Sequence, residues 1–216
     1  MSLVNDLRLQ SPSTARNRAP ILAVLREYLP ANAYVLELAS GSGEHGVYFT
    51  QEMPGWQWQP SDTEPKALAS IDAWRRHRQQ QRPKSKPSDN LLVPLALDVT
   101  ASWSDEWGST AFDAIVAINL IHISPWQVTQ ALMAQAGKRL NSHGVLFLYG
   151  PYRRQGQHTA PSNQAFDADL QARNSTWGVR DLESVEAEAA ANGLVLDQVV
   201  EMPANNLSVV FRRQPS

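Results

Sequence analysis

The sequence predicts an open, doubly wound α/β sheet of seven strands, mostly parallel, with one antiparallel strand from a C-terminal hairpin. Helical and strand patterns alternate along most of the chain, which is typical of β/α units. Residues 114–118 form a continuous apolar run, as expected for a parallel strand covered on both faces. The last two strand patterns, 194–202 and 207–212, are joined by a segment too short for a parallel crossover and should form an antiparallel hairpin.

The composition indicates one globular domain over residues 1–216. A net charge of −2 provides no overall positive field, so neither nucleic acid nor an anionic membrane is an expected partner. The chain has no cysteine, which excludes disulfides and thiolate sites and is consistent with a reducing cytoplasm. No apolar run approaches the roughly 20 residues that span a bilayer. We expect a soluble, cytoplasmic protein without a signal peptide or a metal site, and the sequence does not predict its oligomeric state.

The first half of the chain contains three helix patterns and three strand patterns. Pro20 is predicted to begin a helix in an N-terminal helical segment, residues 1–30, and Pro30 ends it. Thr63 is the predicted N-cap of the third helix. The second half of the basic segment 75–90 is predicted to be a surface loop because it is poor in apolar residues and contains two prolines. The predicted strands lie at residues 34–39, 56–59 and 91–97.

The second half continues the alternation. Ser124 and Pro125 are the predicted N-cap and first residue of a helix, and the fifth strand is predicted at residues 144–149. Asp181 is predicted to begin the last helix, which Gly193 ends. These elements complete the predicted sheet, with one long connection between them that is considered below.

Polar side chains follow the carboxyl ends of four predicted strands, where doubly wound sheets bind their ligands. These ends carry Glu37 with a glycine-rich turn, Asp62, Asp98 and Asn119. Asp113 instead lies at the entry to the fourth strand, so we interpret it as structural.

The segment 37–46, ELASGSGEHG, is the strongest functional signal. Its glycines permit a tight turn and close approach of a ligand to the backbone, and the next helix begins with free N–H groups. Asp62 is placed to accept from two ribose hydroxyls and Asp98 from an adenine amino group. We therefore predict S-adenosylmethionine as cofactor. Arg16 and Asn17, just before the first predicted helix, are able to fold over its carboxylate, and a plain capping role is the alternative. The predicted cofactor-binding residues are Arg16, Glu37, Ala39, Ser40, Gly41, Ser42, Gly43, Asp62, Asp98, Val99 and Asn119.

A nicotinamide dinucleotide is the alternative ligand. Gly41, Gly43 and Gly46 also satisfy G-x-G-x-x-G, and Asp62 follows at the distance expected for that fingerprint. Glu37 favours the sulfonium cofactor, because its carboxylate suits the methionine ammonium but would repel a pyrophosphate. Structural glycines without a ligand, and a non-catalytic protein-interaction module, are further alternatives.

Motifs over nearly the whole chain carry a resemblance to a known family. They are residues 11–18 (SPSTARNR), 58–62 (WQPSD), 119–126 (NLIHISPW), 148–152 (LYGPY), 158–163 (HTAPSN), 177–181 (WGVRD) and 202–206 (MPANN). With these motifs the chain resembles the DUF938 family, also called methyltransferase-like protein 26. The glycine loop, Asp62 and Asp98 likewise resemble the motifs of class I S-adenosylmethionine-dependent methyltransferases.

The resemblance implies the Rossmann-like class I methyltransferase fold and S-adenosylmethionine as cofactor, but it implies no substrate. Ala39 and Ser40 depart from the glycine-containing pair that is commoner before Gly41 in the broader superfamily. Both residues are small, so the loop still has room for the cofactor.

Methyl transfer needs a general base only if the acceptor must lose a proton early. His122, just after the fourth strand, is the candidate base, and a histidine that merely fixes the loop is the alternative. Tyr152 is the candidate for positioning the acceptor, with Tyr149 as a second tyrosine after the fifth strand. Either tyrosine is equally well explained as a packed aromatic residue.

Residues 151–178, with one short helix predicted at 162–172, form the candidate acceptor-recognition insertion. Its mixture of side chains suggests a small polar or anionic molecule, although a solvated loop has a similar composition. The basic run 75–86 lacks interleaved aromatic residues, so we interpret it as a solvated face. The candidate substrate residues are Arg153, His158, Asn163, Phe166 and Trp177.

Overall fold

A seven-stranded sheet forms the centre of the computed structural model, which describes residues 6–81, 89–101, 103 and 111–215. The strands are β1 (Tyr34–Leu38), β2 (Gln57–Asp62), β3 (Leu95–Ala96), β4 (Phe112–Ile118), β5 (Leu140–Gly150), β6 (Tyr152–Arg154), β7 (Gln157–His158), β8 (Arg180–Asp181), β9 (Leu194–Met202) and β10 (Asn206–Arg213). The helices are α1 (Pro12–Tyr28), α2 (Glu44–Glu52), α3 (Pro65–Gln81), α4 (Trp126–Arg139), α5 (Pro161–Arg173) and α6 (Leu182–Ala191).

The strand order of the main sheet is β3-β2-β1-β4-β5-β10-β9. Strands β1 to β5 are parallel, and β10 is antiparallel to both β5 and β9. This confirms the predicted fold, including the single reversed strand of the C-terminal hairpin. The order reverses between β1 and β4, so the carboxyl ends of these two strands border the crevice in which such sheets bind ligands.

Helices cover both faces of the sheet and divide the core in two. Ile115 of β4 packs into the cluster with Leu132 of α4 and Val185 of α6. Val116, the next residue, packs into the other cluster with Leu25 of α1. Both faces of β4 are therefore removed from water, which explains why its sequence is apolar without alternation.

Helix α1 begins at Pro12, earlier than the predicted start at Pro20. Ser11 caps the helix, accepting from the backbone N–H of Thr14 at 3.3 Å, and Pro12 stands at the first helical position. Pro20 lies inside the helix, where it removes one backbone hydrogen bond without ending it. Burial of Ile21 and Leu25 on the sheet supports the helix across this position.

The third strand is much shorter than predicted. Only β3 and an isolated bridge between Leu91 and Trp58 pair with β2, rather than all of 91–97. Pro60 in β2 and Pro94 within the segment itself explain the interruption. Trp58 donates to Asn90 and accepts from Leu92, but neither proline has the N–H that would continue this ladder. Helix α3 also extends to Gln81, and the rest of the loop predicted in 75–90 falls largely on residues 82–88, outside the described residues.

The insertion 151–178 contains more structure than one short helix. It contains β6, β7 and α5, and β6 pairs with β7 and with β8, which directly follows the insertion, in a small sheet of order β7-β6-β8. The small sheet packs beside α6, so the insertion is anchored to the domain at its base.

Two polar residues near the ends of β4 serve the backbone. Asp113 accepts the N–H of Tyr34 at 2.8 Å and the side-chain amide of Asn141 at 2.7 Å, which confirms its structural interpretation. Ser124 does not cap α4 as predicted, because its hydroxyl donates to the carbonyl of Leu120 at 2.6 Å.

Among the described residues, no helix has the length and apolar character that crossing a membrane requires.

Candidate cofactor and acceptor site

The glycine-rich turn after β1 adopts the left-handed backbone that its sequence predicts. Gly41 and Gly43 have φ of 56° and 86°, and Ala39 is left-handed as well at 52°. A Cβ on Gly43 would stand 2.9 Å from a side-chain carbon of Ile71, so glycine is required there. At Gly41, by contrast, no described residue apart from its two chain neighbours comes within 4 Å of the Cβ position. The loop therefore has open space beside its backbone where a ligand can lie.

Asp62 at the end of β2 is joined directly to this loop. Its Oδ2 accepts the backbone N–H of Gly41 at 2.9 Å, and its Oδ1 accepts that of Glu64 at 3.0 Å. Each carboxylate oxygen can accept a second hydrogen bond. Asp62 thus holds the loop and retains two acceptor positions for the two hydroxyls of a ribose.

Ser40 and Ser42 belong to the loop in different ways. Ser40 is buried, and its backbone N–H donates to the carbonyl of Ser61 at 2.9 Å, which ties the loop to β2. Ser42 donates through its hydroxyl to Glu44 at 2.9 Å. Both side chains therefore organise the loop.

Asp98 and Val99 follow β3 and differ in exposure. Asp98 is exposed, and its Oδ1 accepts the N–H and the hydroxyl of Thr100 at 2.8 and 2.7 Å. Its Oδ2 is left for a ligand. Val99 is buried in the core. Its side chain has no hydrogen-bonding group, so only its backbone can bind a polar part of a ligand at this position.

Glu37 lies beneath the glycine loop and is 1% exposed. Its Oε2 accepts the indole N–H of Trp58 at 2.9 Å. Burial raises the pKa of Glu37 to about 7, and the side chains of Trp58 and Ser40 oppose this rise. The carboxyl group therefore titrates near neutrality and can ionise when a cation approaches.

His45 connects the loop to α1, a contact that the sequence analysis missed. Its Nε2 lies 2.8 Å from the Oδ1 of Asn17, and its Nδ1 lies 4.0 Å from the Oε1 of Glu37. Burial lowers the pKa of His45 to about 3, so the ring is neutral at pH 7 and Nε2 donates to Asn17. These residues are far apart in the sequence, and no spacing rule relates them.

The chain before α1 crosses the start of α2 and the side of α3. The backbone of Leu9 accepts from the indole of Trp74 at 3.0 Å and donates to the hydroxyl of Ser70 at 2.8 Å. Ser70 also donates to the carbonyl of Ser42 at 2.8 Å, and Ser11 donates to Glu44 at 2.6 Å. The N-terminal segment is thereby fixed against the glycine loop, which the sequence did not predict.

A cavity of about 330 Å³ opens between α1 and α5; we call it the α1–α5 cavity. It contains four of the predicted site residues, Arg16, Asn119, Asn163 and Phe166. Neither the glycine loop nor Asp62 nor Asp98 lines it. Its lining consists of Ser13, Arg16, Asn17, Asn119, Tyr149, Pro151, Ser162, Asn163, Phe166, Pro203, Ala204 and Asn206.

Asn119 stands where β4 ends and borders the α1–α5 cavity. Its φ is 60°, a left-handed conformation that asparagine tolerates better than most residues. Its N–H donates to the carbonyl of Tyr149 at 2.8 Å, and its carbonyl accepts from the N–H of His122. The residue thus joins the ends of β4 and β5 at the edge of the cavity.

Tyr149, at the end of β5, reaches the α1–α5 cavity with its phenol. Asn17 and Asn206, which belong to two other elements, line the cavity with it. Burial raises the pKa of Tyr149 above its ordinary value, and the polar side chains of Asn17 and Asn206 oppose this rise. The phenol is therefore neutral at pH 7 and suited to hydrogen bonding.

The structure does not bring His122 or Tyr152 to the cavity. Both side chains are wholly buried, with ring centroids 5.1 Å apart and the rings nearly perpendicular. The strand β6 directs Tyr152 into the apolar core, and the loop after β4 folds His122 behind Gly150. Neither ring nitrogen of His122 has a hydrogen-bond partner among the described residues. This geometry favours the packing interpretation of both residues.

The buried histidines predict a specific pH dependence of stability. Burial lowers the pKa of His122 to about 3, so the unfolded chain binds a proton below pH 6.5 that the folded chain does not. Lowering the pH from 6.5 to 5 should then decrease the free energy of unfolding by about 2 kcal/mol through the protonation of His122 in the unfolded chain. Urea denaturation at several pH values gives the slope of the unfolding free energy against pH. In His122→Gln this slope should decrease by the contribution of about one proton.

Glu37 changes the stability with pH in the opposite direction to His122, over an overlapping range of pH. Its pKa is raised, so its contribution falls as pH rises from 4.5 to 7. Glu37→Gln should therefore steepen the slope that His122→Gln flattens. Equal slopes in the two variants and the unmodified protein would contradict the buried titration of both residues.

The remaining predicted substrate residues lie in the insertion, away from the cavity lining. His158 pairs with Asp167 at 3.3 Å, and Asp167 also accepts the N–H of Val179 at 2.7 Å. Trp177 packs under the guanidinium of Arg173, 5.3 Å from the ring centroid. Arg153 lies on β6, where its backbone is paired with that of His158. The contacts of His158 and Trp177 make these two side chains parts of the insertion's own structure.

Arg180 fixes the insertion to the loop after β4, a role that the sequence analysis did not assign. It donates to the carbonyl of Ile121 at 2.9 Å, of Ser124 at 2.6 Å and of Thr176 at 2.9 Å. Each of these carbonyls belongs to irregular backbone, which a five-donor guanidinium is well suited to join. No local sequence signal identifies such a contact.

Comparison with known protein families gives a match over most of the chain. The sequence model described as "Protein of unknown function (DUF938)" matches residues 8–213. The chain belongs to the DUF938 family. The match covers the glycine loop, the α1–α5 cavity and the C-terminal hairpin of this DUF938 protein, and it carries no statement of activity.

Solved structures share the fold of this DUF938 protein at low sequence identity. A putative O-methyltransferase from Nostoc punctiforme superposes with a TM-score of 0.75 at 16% identity, over 94% of this chain and 57% of that one. An O-methyltransferase family protein from Burkholderia thailandensis has a TM-score of 0.73 at 14% identity, over 94% and 58%. Human N-acetylserotonin methyltransferase, solved with SAM, has a TM-score of 0.70 at 12% identity, over 94% and 53%. The chain thus spans little more than half the length of these proteins.

Proposed function

We propose that this DUF938 protein is an S-adenosylmethionine-dependent methyltransferase that acts on a small polar acceptor. One observation carries the proposal: the open glycine loop and Asp62 are hydrogen-bonded into one unit at the point where the strand order reverses. Structural neighbours that are described as methyltransferases, one of them solved with SAM, support it. The resemblance to methyltransferase-like protein 26, cytoplasmic location, a single domain and independence from nucleic acid are parts of the same proposal.

The residues present fit the cofactor. Gly41 leaves open space, Asp62 keeps two acceptor positions for ribose hydroxyls, and Asp98 exposes a carboxylate at the end of β3. Glu37 favours a sulfonium ligand over a dinucleotide, because an ammonium stabilises the ionised carboxylate and a pyrophosphate repels it. When bound, S-adenosylmethionine supplies a methyl group on a positively charged sulfur.

The protein's own residues contribute position rather than acid–base chemistry. Alignment of the acceptor with the methyl carbon and exclusion of water account for most of the rate gain in such a displacement. Tyr149 and Asn119 lie at the cavity edge nearest the ends of β4 and β5, where their polar groups can hold an acceptor. Tyr149 stays neutral and acts as a hydrogen-bonding group. Asn17 links the two regions, because it bonds His45 beside the loop and lines the cavity together with Tyr149.

Calorimetric titration with four ligands tests the proposal. S-Adenosylmethionine and S-adenosylhomocysteine should bind the purified protein with one site each, whereas NAD and NADP should give no heat of binding. Binding of a dinucleotide without either adenosyl ligand would establish the alternative cofactor. Absence of all four would leave the fold as an interaction module and refute the enzymatic assignment.

A further inference from the structure

We propose that the α1–α5 cavity takes an anionic acceptor, a small carboxylate or phosphate with an apolar or aromatic body, and that Arg16 binds its charge. The inference rests on the proposed function, which it narrows from polar acceptors to anions. It assigns Arg16 to the acceptor rather than to the cofactor's carboxylate, which was the expectation from sequence.

The charge of the cavity carries the first step. Among the described residues that line the cavity, Arg16 has the single charged side chain, and none of them is a carboxylate. An anion entering the cavity would meet one unopposed cation, whereas a cationic ligand would meet repulsion without any acidic partner. Guanidinium groups bind carboxylate and phosphate through paired, charge-assisted hydrogen bonds.

The state of Arg16 distinguishes it from the other arginines. No described residue forms an ion pair, hydrogen bond or ring contact with its guanidinium, which is exposed towards the cavity. Most other described arginines have such a partner. Examples are Arg8 with Asp6, Arg18 with Tyr48, Arg26 with Glu52, Arg75 with Asp72, Arg173 with Asp169 and Arg212 with Asp197.

The rest of the lining describes the body of the ligand. Phe166 is 36% exposed, and Pro151 and Pro203 add further apolar surface. Much of the neutral hydrogen-bonding capacity is already used: the amide of Asn163 donates to Thr159 at 3.1 Å and to the carbonyl of Asn205 at 2.9 Å. The anionic charge must therefore be met by Arg16, while the aromatic and proline surface contacts an apolar part. A volume of about 330 Å³ is at the small end for ligand sites.

The position of Arg16 distinguishes between two carboxylates that it could bind, that of the acceptor and that of the cofactor's methionine. The cofactor's methionine carboxylate would lie with the glycine loop, and Gly41 does not line the cavity. Arg16 projects from α1 into a space shared with Tyr149 and Asn163. We therefore assign it to the acceptor, and the test compares both ligands.

The test uses matched small molecules that differ in charge. Ligand-observed NMR would compare benzoate, phenyl phosphate, benzamide and benzylamine, with the free protein and with protein saturated with S-adenosylhomocysteine. The two anions should bind at least about tenfold more tightly than benzamide and benzylamine. Arg16→Gln should remove this preference and leave S-adenosylhomocysteine affinity unchanged. Arg18→Gln is the matched control, because Arg18 lies on the same helix and packs on Tyr48 instead.

Several results would overturn the inference. Equal binding of benzamide and benzoate, no binding of either anion at millimolar concentration, or an unchanged anion preference in Arg16→Gln would each do so. A loss of S-adenosylhomocysteine affinity in Arg16→Gln, with anion binding intact, would return Arg16 to the cofactor while the proposed function stands. Failure of the unmodified protein to bind S-adenosylhomocysteine would instead refute the proposed function, and the anion comparison on the free protein would still be decisive.

Discussion

Asp62→Ala is expected to weaken S-adenosylhomocysteine binding by about 100-fold or more. The carboxylate would lose two charge-assisted hydrogen bonds to the ribose, each worth about 1.5–3 kcal/mol. It would also release the N–H of Gly41, which Asp62 holds at 2.9 Å, so the loop would lose its fixed conformation. Isothermal titration calorimetry measures the change directly.

Asp72→Ala provides the matched control for this effect. Asp72 is a carboxylate on α3 that pairs with Arg75 at 2.8 Å and Arg76 at 2.7 Å, on the surface of the helix. Its removal should leave the affinity unchanged. Both variants should unfold cooperatively, with a stability close to that of the unmodified protein. An unchanged affinity in Asp62→Ala would show that the ribose does not lie at the end of β2.

Trp58→Ala is expected to lower the free energy of unfolding by about 3–5 kcal/mol, the usual cost of removing a large buried aromatic residue. Trp58 is fully buried and packs on Phe49 at 5.1 Å between ring centroids. The substitution also leaves the buried carboxyl of Glu37 without its indole donor, which adds about 1–3 kcal/mol. Urea denaturation monitored by circular dichroism measures the total.

Two conservative variants separate packing from the carboxyl contact. Trp58→Phe keeps most of the ring volume but removes the donor, so the pKa of Glu37 should rise further and the loss of stability should grow as pH rises above neutrality. Trp56→Phe removes a comparable donor, whose partner is the carbonyl of Pro30 at 2.9 Å. Its cost should not depend on pH. An identical pH dependence in both variants would contradict the contact between Trp58 and Glu37.

The sequence predicts the architecture well where local patterns reflect burial. The apolar run in β4 reports a strand covered on both faces, and the short connection 203–206 permits only an antiparallel hairpin. The order of polar residues after β1 and β2 follows from parallel strands ending at one edge. Gly41 and Asp62 are 21 positions apart, and their contact could be expected because two neighbouring strand ends carry them.

The errors occur where distant parts of the chain decide the structure. The third strand is broken by Pro60 in the neighbouring strand and by Pro94, a local signal within 91–97 that the prediction overlooked. The burial of His122 depends on Gly150 and on the insertion, which Arg180 holds in place. The α1–α5 cavity joins residues from five separate regions. The sequence therefore offers Tyr149, Asn163 and Phe166 as separate candidates, but it does not show that they meet or that Asn206 completes the lining.

A crystal structure of the protein grown with S-adenosylhomocysteine would show directly where the cofactor binds. We expect one arrangement: the ribose hydroxyls on Asp62, the adenine beside Asp98, the amino acid over Gly41 to Gly43, and the sulfur directed towards the α1–α5 cavity. A ligand bound elsewhere, or crystals grown at saturating concentration with no ligand at the glycine loop, would contradict it.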